Sequence, residues 1–212
     1  MHPNTTAVAT ALAQAGAGGE VRALTESART AAEAASALGC DVAAIANSLV
    51  FMADGEPVLI LTSGGHRVDT GYVAEELGVH VLRRATPEQV RAATGQPIGG
   101  VAPVGHPHPV RTLVDTALAA FPVVWAAAGT PHTVFPTSYP ELLRICAAEP
   151  VTVTPDERSP RTRPNTQADQ TRGGGRQAPT PVRITPAAWP PRPARTGGPP
   201  RVRRHPPDPD TG

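Results

Sequence analysis

The sequence predicts an α+β fold with a mixed, mostly antiparallel and partly barrel-like sheet flanked by helices. Three observations support this class. Helix ends are marked by capping residues, and the short apolar strands occur both as a hairpin and between helices. The strands do not alternate strictly with helices, which disfavours a doubly wound parallel sheet. The composition also changes near residue 150, so that the fold is expected within the first 150 residues.

Five helices are predicted, mainly from their termini. The first is the Ala-rich segment at residues 5–15. The second, TAAEAASALG, has Thr30 as its N-cap, Glu33 three residues later and Gly39 as its stop, which together form a capping box with a glycine terminator. Capping residues also mark the other three predicted helices, TGYVAEELG, TPEQVRAATG and SYPELLRICAA.

Strands are predicted in the intervals between these helices. NSLVF and PVLILTS flank the turn ADGE, and this arrangement predicts a β-hairpin. The other strand candidates are rich in β-branched and aromatic residues: GVHVLRR, VRTLVD, PVVWAAA and HTVFP.

Charge divides the chain into two unlike parts. All nineteen basic residues are arginine, so chemistry that needs a lysine amine is excluded. Residues 1–150 hold 8 arginines against 13 acidic residues, whereas residues 151–212 hold 11 against 5 together with 14 of the 26 prolines. We therefore expect one domain at residues 1–150 and a disordered Pro/Arg-rich tail at residues 151–212.

Cysteine use and the absence of apolar runs predict a compartment. Cys40 and Cys146 form no CxxC motif, and two cysteines do not indicate a disulfide framework. The N-terminal residues lack the features of a signal peptide, and no run is long enough to span a membrane. We expect a cytoplasmic protein that does not act at a membrane.

The densest concentration of special residues is TGQPIGGVAPVGHPHPVRTLVD, residues 94–115. Adjacent Gly99 and Gly100 allow a backbone to approach a ligand and to aim its N–H groups at a carbonyl oxygen or oxyanion. The alternative is a tight turn that binds nothing. No GK[ST] follows, so the segment is not a phosphate-binding P-loop.

Four histidines in predicted loops raise a metal hypothesis, since imidazole is a common zinc ligand. However, the sequence contains no HExxH and no partner cysteine pattern. Solvated or substrate-contacting histidines are therefore favoured over a metal site. The four are His66, His106, His108 and His132.

The segment TSGGHRVDTG, residues 62–71, lies between a predicted strand and a helix. Ser63 and its glycines form a turn or contact a ligand, and Arg67 is suited to binding a phosphate in a bidentate manner. Asp69 is interpreted as a helix cap. Asp115 either caps a short helix or belongs to a site, and no GxSxG motif supports a serine nucleophile.

Five segments in the same order resemble the YbaK/EbsC family of aminoacyl-tRNA editing domains, which also occurs as an insertion in bacterial prolyl-tRNA synthetases. The resemblance covers roughly residues 20–150. The segments are TAAEAASALGCDVAAIANSLVF, VLILTSGGHRVD, ATGQPIGGVAPVGH with LVD, VWAAAGTPHTVFPT and PELLRIC.

The resemblance implies a freestanding protein that hydrolyses the ester of a mischarged tRNA, with no metal and no other cofactor. It places Gly99 and Gly100 at the ester and Asn47 at the tRNA 3′ end, where other members carry lysine. It implies aminoacyl-tRNA, through its acceptor end, as the partner, with an aminoacyl-tRNA synthetase as a further partner. Substrate-binding residues carried over from the family are Ser63, Arg67, His106, Asp115 and Gly129.

Two other functions remain open from the sequence. One is a non-catalytic module of the same fold that binds an amino acid or a tRNA end, because Asn47 supplies no charge. The other is a metal-dependent hydrolase that uses the loop histidines. The sequence does not indicate the amino acid, the tRNA or the oligomeric state.

Overall fold

The computed structural model describes residues 1–155. It confirms the α+β class, with five α-helices and an eight-stranded mixed sheet. The helices are α1 (Pro3–Gln14), α2 (Ala31–Leu38), α3 (Thr70–Leu77), α4 (Pro87–Thr94) and α5 (Tyr139–Ile145). The strands are β1 (Arg22–Ala23), β2 (Ile45–Ala53), β3 (Glu56–Ser63), β4 (Leu82–Arg84), β5 (Arg111–Asp115), β6 (Val124–Ala127), β7 (Thr133–Thr137) and β8 (Glu149–Val151).

The sheet has the strand order β1-β7-β6-β2-β3-β5-β8, and β4 pairs with β2 beside this path. Four of the strand pairs are antiparallel: β1–β7, β2–β3, β2–β4 and β6–β7. Three are parallel: β2–β6, β3–β5 and β5–β8. No pairing between β1 and β8 closes the sheet within the part of the chain that is described.

Helix termini follow the predicted capping residues. The Thr30 hydroxyl accepts from Glu33 N at 3.2 Å, and the Glu33 carboxylate accepts from Thr30 N at 3.2 Å. Gly39 ends α2 in the left-handed conformation with φ of 65°. The N-terminus of α5 differs, because its Glu141 carboxylate accepts from Gly18 N and from the Thr137 hydroxyl instead of returning to the cap.

The β2–β3 hairpin turns at Asp54 and Gly55, which have φ of 48° and 97°. Two consecutive positive φ values are the mark of a type I′ turn, whose twist matches that of antiparallel strands. The Asp54 carboxylate also accepts from His80 N and Val81 N, which fixes the approach to β4. Strand β4 is shorter than the predicted GVHVLRR.

The central strand β3 is buried on both faces. Leu59 and Leu61 pack into one hydrophobic cluster, and Val58 and Ile60 pack into a second cluster on the opposite face. This alternation follows from the period of two in a strand. A third, smaller cluster holds α2 against the start of β2 through Ala34, Ala35 and Ile45.

The folded part continues past the predicted boundary at residue 150. Strand β8 pairs with β5 through Val151, and Val153 is fully buried. A three-residue edge strand has too little pattern to be separated from a tail in sequence. The predicted disordered tail lies, from residue 156 onward, outside the described residues. Within residues 1–155, no helix is long and apolar enough to cross a bilayer.

Candidate functional site

A cavity of about 270 Å³ opens beside the middle of β2. One edge of β2 pairs fully with β3. Its other edge pairs with β6 at Ile45 and Ala46 and with β4 from Phe51 to Ala53. On this second edge, between the ladders with β6 and β4, no described strand pairs with residues 47–49. All three residues line the cavity. The gap in strand pairing therefore positions the cavity.

Two residues of this stretch line the cavity and carry polar side chains that have no hydrogen-bond partner among residues 1–155. The Asn47 amide makes no hydrogen bond to any residue in the range 1–155 that the structure gives, and the residue is half-buried. The Ser48 hydroxyl is buried and also lacks a hydrogen-bond partner among those residues. A buried polar group without a partner costs about 1–3 kcal/mol. As neighbours in a strand the two side chains point to opposite faces of the sheet, and of the two only the half-buried Asn47 amide is available to a ligand.

The Gly99–Gly100 segment lies at one wall of the cavity, and the backbone N–H groups of the two glycines are used differently. Gly100 N donates to Pro97 O at 3.1 Å, and Gly99 has φ of 84°, as in the third position of a type II turn. The Gly100 N–H is therefore used within the protein. The Gly99 N–H donates to no acceptor within the described residues, and Gly99 lines the cavity.

Gly100 is required by close backbone packing. A Cβ added at Gly100 would lie 2.7 Å from Thr130 Cα and 3.0 Å from Pro131 N. Real Cβ atoms do not approach backbone atoms this closely, so a side chain at this position would push the two walls of the cavity apart. Gly100 itself is buried behind the lining, whereas Thr130 and Pro131 line the cavity.

Gly129 shapes the same loop from behind. Its φ is 92°, and an added Cβ would lie 2.9 Å from the backbone of Asn4 in α1. The Asn4 side chain donates to Gly129 O at 3.3 Å. Helix α1 thus packs on the back of the 129–133 loop, and Gly129 supports the cavity without lining it.

Ser63 and Asp115 lie outside the cavity lining, which differs from the expectation that they line one pocket with Asn47. The buried Asp115 Oδ2 accepts from the Thr62 hydroxyl at 3.2 Å and from Ser63 N at 3.0 Å. It also contacts His66 Nδ1 at 3.0 Å. The Asp115 Oδ1 atom caps a 3₁₀ helix by accepting from Ala117 N at 3.0 Å. The Ser63 hydroxyl is used as well, donating to Ala43 O at 2.8 Å.

His106 and Arg67 also lie away from the cavity lining. His106 faces a groove beside α1, and its Nε2 lies 2.8 Å from Ala102 O. Burial lowers the pKa of His106 below its ordinary value. Arg67 is exposed on the loop after β3. The family resemblance grouped these residues with Asn47, but the loops carry the side chains of His106 and Arg67 away from the cavity lining.

The four loop histidines do not converge on one point. His66 contacts Asp115, His106 contacts Ala102, and His108 and His132 are exposed. Within residues 1–155, no three His, Cys, Asp or Glu side chains are arranged to hold a metal ion. Neither cysteine lines the cavity, and burial raises the pKa of the Cys146 thiol to about 12, so that this thiol stays protonated at neutral pH.

Several cavity residues were not predicted from the sequence. Arg29 lies just before α2, Arg84 ends β4, and Trp125 lies on β6. They are far apart in the chain and belong to no common motif. Ser48 had a signal, because a hydroxyl residue follows Asn47 directly in IANSLVF.

Comparison with known proteins identifies the family of this fold. Residues 25–145 match the aminoacyl-tRNA editing domain. A crystal structure described as that of a proposed trans-editing enzyme for prolyl tRNA synthetase superposes with a TM-score of 0.69 and 41% identity, covering 74% of this chain and 99% of that one.

Two curated relatives are similar to this chain in sequence. The proline–tRNA ligase of Nitratidesulfovibrio vulgaris (strain DP4) is 39% identical over 94 residues, which are 44% of this chain but only 16% of the ligase. The uncharacterized protein YwhH of Bacillus subtilis (strain 168) is 32% identical over 117 residues, covering 55% of this chain and 74% of YwhH. The chain belongs to the aminoacyl-tRNA editing domain family.

Proposed function

We propose that this protein is a freestanding deacylase that hydrolyses the ester bond of a mischarged aminoacyl-tRNA in the cavity beside Asn47. The observation that carries the proposal is the pair of unused polar groups at that cavity, the Asn47 amide and the Gly99 N–H. The family match, and the similarity over 74% of this chain to a proposed trans-editing enzyme, support it. Aminoacyl-tRNA, through its acceptor end, is the proposed partner.

The size of the cavity suits a small aminoacyl group. Its volume of about 270 Å³ is slightly below the range of about 300–1,000 Å³ that is usual for ligand pockets. A small side chain differs from its competitors by too little binding energy for one synthetase site to reject it, which is the chemical need that editing meets.

In the proposed reaction, the Gly99 N–H donates to the ester carbonyl oxygen and stabilises the negative charge that develops there. Water adds to the carbonyl carbon, the bond between that carbon and the ribose oxygen breaks, and the ribose oxygen takes a proton. Asn47 hydrogen-bonds the terminal ribose or the amino acid. Gly100 and Gly129 hold the two walls in position.

A non-catalytic binding module is the second candidate, and one observation favours it. The described lining contains no carboxylate, imidazole or thiol, so no side chain there can take a proton from water at neutral pH. Hydrolysis in this cavity therefore depends on a substrate group or a second water as the base. A module that only binds the tRNA end needs no base.

Incubating the purified protein with a panel of mischarged tRNAs, with and without EDTA, separates the candidates. The deacylase releases a small amino acid faster than the uncatalysed control in both conditions. A binding module protects or leaves the ester intact, and a metal-dependent hydrolase loses its activity in EDTA. Absence of turnover on every tRNA in the panel would refute the proposed function.

A further inference from the structure

Three arginines from separate parts of the chain lie at the cavity or against a residue that lines it. Arg29 and Arg84 line it, and Arg22 lies over the ring of Trp125, which also lines it. All three side chains are exposed. We name Arg22, Arg29 and Arg84 the arginine rim.

The rim guanidinium groups have no carboxylate partner within residues 1–155, where the structure records three ion pairs and none involves them. Other arginines of the domain are used internally. Arg111 forms a bidentate pair with Glu149 at 3.0 Å, and Arg144 contacts Glu141 together with the carbonyl groups of Ala15 and Gly16. The rim arginines differ from Arg111 and Arg144 because they have no carboxylate partner among residues 1–155.

Aromatic rings position two of these cations without using their hydrogen-bond donors. The Arg22 guanidinium carbon lies 5.3 Å from the centre of the Trp125 ring, and that of Arg84 lies 5.8 Å from the Phe51 ring. Stacking of this kind orients a guanidinium while its N–H edge stays free for a planar anionic partner such as a phosphate.

Arg29 is positioned by the backbone. A Cβ added at Gly99 would lie 3.4 Å from Arg29 Cα, so the chain at Arg29 runs along the Gly99 turn. The backbone N–H of Arg29 donates to the Glu33 carboxylate at 2.7 Å, and this hydrogen bond anchors the start of α2. The Arg29 side chain therefore begins next to the N–H group that is proposed to bind the ester.

The charge of the rim contrasts with that of the domain. Residues 1–150 have 8 arginines and 13 acidic residues, so the domain as a whole repels RNA. Three unpaired cations at one opening give a local site for an anion. Because the three cations come from separate parts of the chain, we expect them to contact more than one phosphate.

From these observations, and resting on the proposed function, we infer that the arginine rim binds the phosphates of the unpaired 3′ end of the tRNA. Phosphate contacts outside the cavity position the terminal ribose so that its ester reaches the Gly99 N–H.

Binding of an uncharged acceptor-stem minihelix with an unpaired 3′ end tests this inference without any turnover. Arg29→Gln and Arg84→Gln should each weaken binding about 5- to 10-fold at low salt. Each should also reduce the slope of log K against log salt by about 0.7, the value expected for one contact to a single-stranded phosphate. Arg22→Gln should act in the same direction.

The matched control is Arg83→Gln. Arg83 is adjacent to Arg84 on β4, but it contacts Gln89 and does not line the cavity. Arg83→Gln changes the net charge by the same amount as the rim variants but removes no arginine from the rim. Binding should therefore stay within about twofold of the parent. Equal losses for Arg83→Gln and Arg84→Gln would overturn the inference, because the effect would then be one of overall charge.

Two further probes identify the source of the phosphate. A blunt minihelix without the unpaired end should bind far more weakly, and so should AMP, which offers a single phosphate. Equal binding of AMP and the minihelix would assign the rim to a free nucleotide and overturn the inference for RNA. If the parent hydrolyses no ester but the rim variants still lose minihelix binding, the proposed hydrolysis fails and the inference for the rim stands.

Discussion

Two polar regions lie in the same row of the sheet and differ in how their hydrogen bonds are used. Asn47 on β2 is opposite Thr62 on β3, and Thr62 donates to Asp115 at the end of β5. With strands about 4.8 Å apart, the two regions are separated by roughly 10 Å. Around Asp115 the carboxylate accepts from two residues of β3 and from a 3₁₀ helix. Around Asn47 an amide, a hydroxyl and three guanidiniums lack partners among residues 1–155.

This difference distinguishes polar groups that stabilise the fold from polar groups that are available to a ligand. A buried polar group that is fully hydrogen-bonded stabilises the fold, whereas one without a partner lowers stability and is available to a ligand. The Asp115 cluster ties the ends of β3 and β5 together. The cavity beside Asn47 keeps polar groups unpaired at a cost to stability, as expected of a site that binds something else.

The largest expected effect is on stability, from Asp115→Ala. The substitution leaves the buried Ser63 N and the partly buried Ala117 N without their acceptor, and the Thr62 hydroxyl keeps only a 3.5 Å contact with Ser63 O. The cost is about 1–3 kcal/mol for each group that stays unsatisfied. We expect the free energy of unfolding, measured in urea, to fall by about 3 kcal/mol or more.

The control for this substitution is Thr116→Ala, at the neighbouring exposed position, whose hydroxyl contacts Thr152 only at 3.5 Å. It should cost less than about 1 kcal/mol. A loss of similar size at both positions would remove the contrast on which the interpretation of the Asp115 cluster rests.

Local features of the fold were predictable because their causes are local. Thr30, Glu33 and Gly39 specify α2 within ten residues, and Asp54 with Gly55 specifies the hairpin. The order of strands was not predictable, since the pairing of β2 with both β4 and β6 depends on contacts distant in sequence.

The candidate site was predictable only in part for the same reason. Asn47 and Gly99 lie in recognisable segments and do line the cavity. Arg29 and Arg84 are 55 positions apart, and only the folded sheet brings them to one opening. Gly100 was singled out correctly as special, but its close packing on Thr130 is invisible in sequence.

A smaller effect on stability is expected from pH, through His106. Burial lowers the pKa of His106 in the folded state below the ordinary value of 6.5, so the unfolded chain binds the proton more readily. The contribution of neutral His106 is therefore fully present above about pH 6.5 and is lost as pH falls through the folded pKa.

Urea unfolding of the parent at pH 7.5 and pH 5 checks this, with His106→Gln as the test variant and His108→Gln as the exposed control. The loss of stability on acidification should be smaller in His106→Gln than in the parent and unchanged in His108→Gln. An identical loss in all three proteins would show that His106 is not a satisfied, buried neutral group.

The smallest expected effect on stability has the opposite sign and sharpens the comparison most. Ser48→Ala removes a buried hydroxyl that has no partner within residues 1–155. We expect the free energy of unfolding to be unchanged or to rise by up to about 1 kcal/mol. A destabilisation comparable to that of Asp115→Ala would mean that the Ser48 hydroxyl serves the fold.

The central claim is that the cavity beside Asn47 is where the ester is hydrolysed, and turnover of a mischarged tRNA by Asn47 variants tests it most directly. Asn47→Lys adds a charged donor at the cavity and should raise the rate about tenfold, since a hydrogen bond from a charged donor contributes about 1.5–3 kcal/mol. Asn47→Ala should lower the rate with the free energy of unfolding unchanged. Parental rates in both variants would contradict the claim and place the site elsewhere.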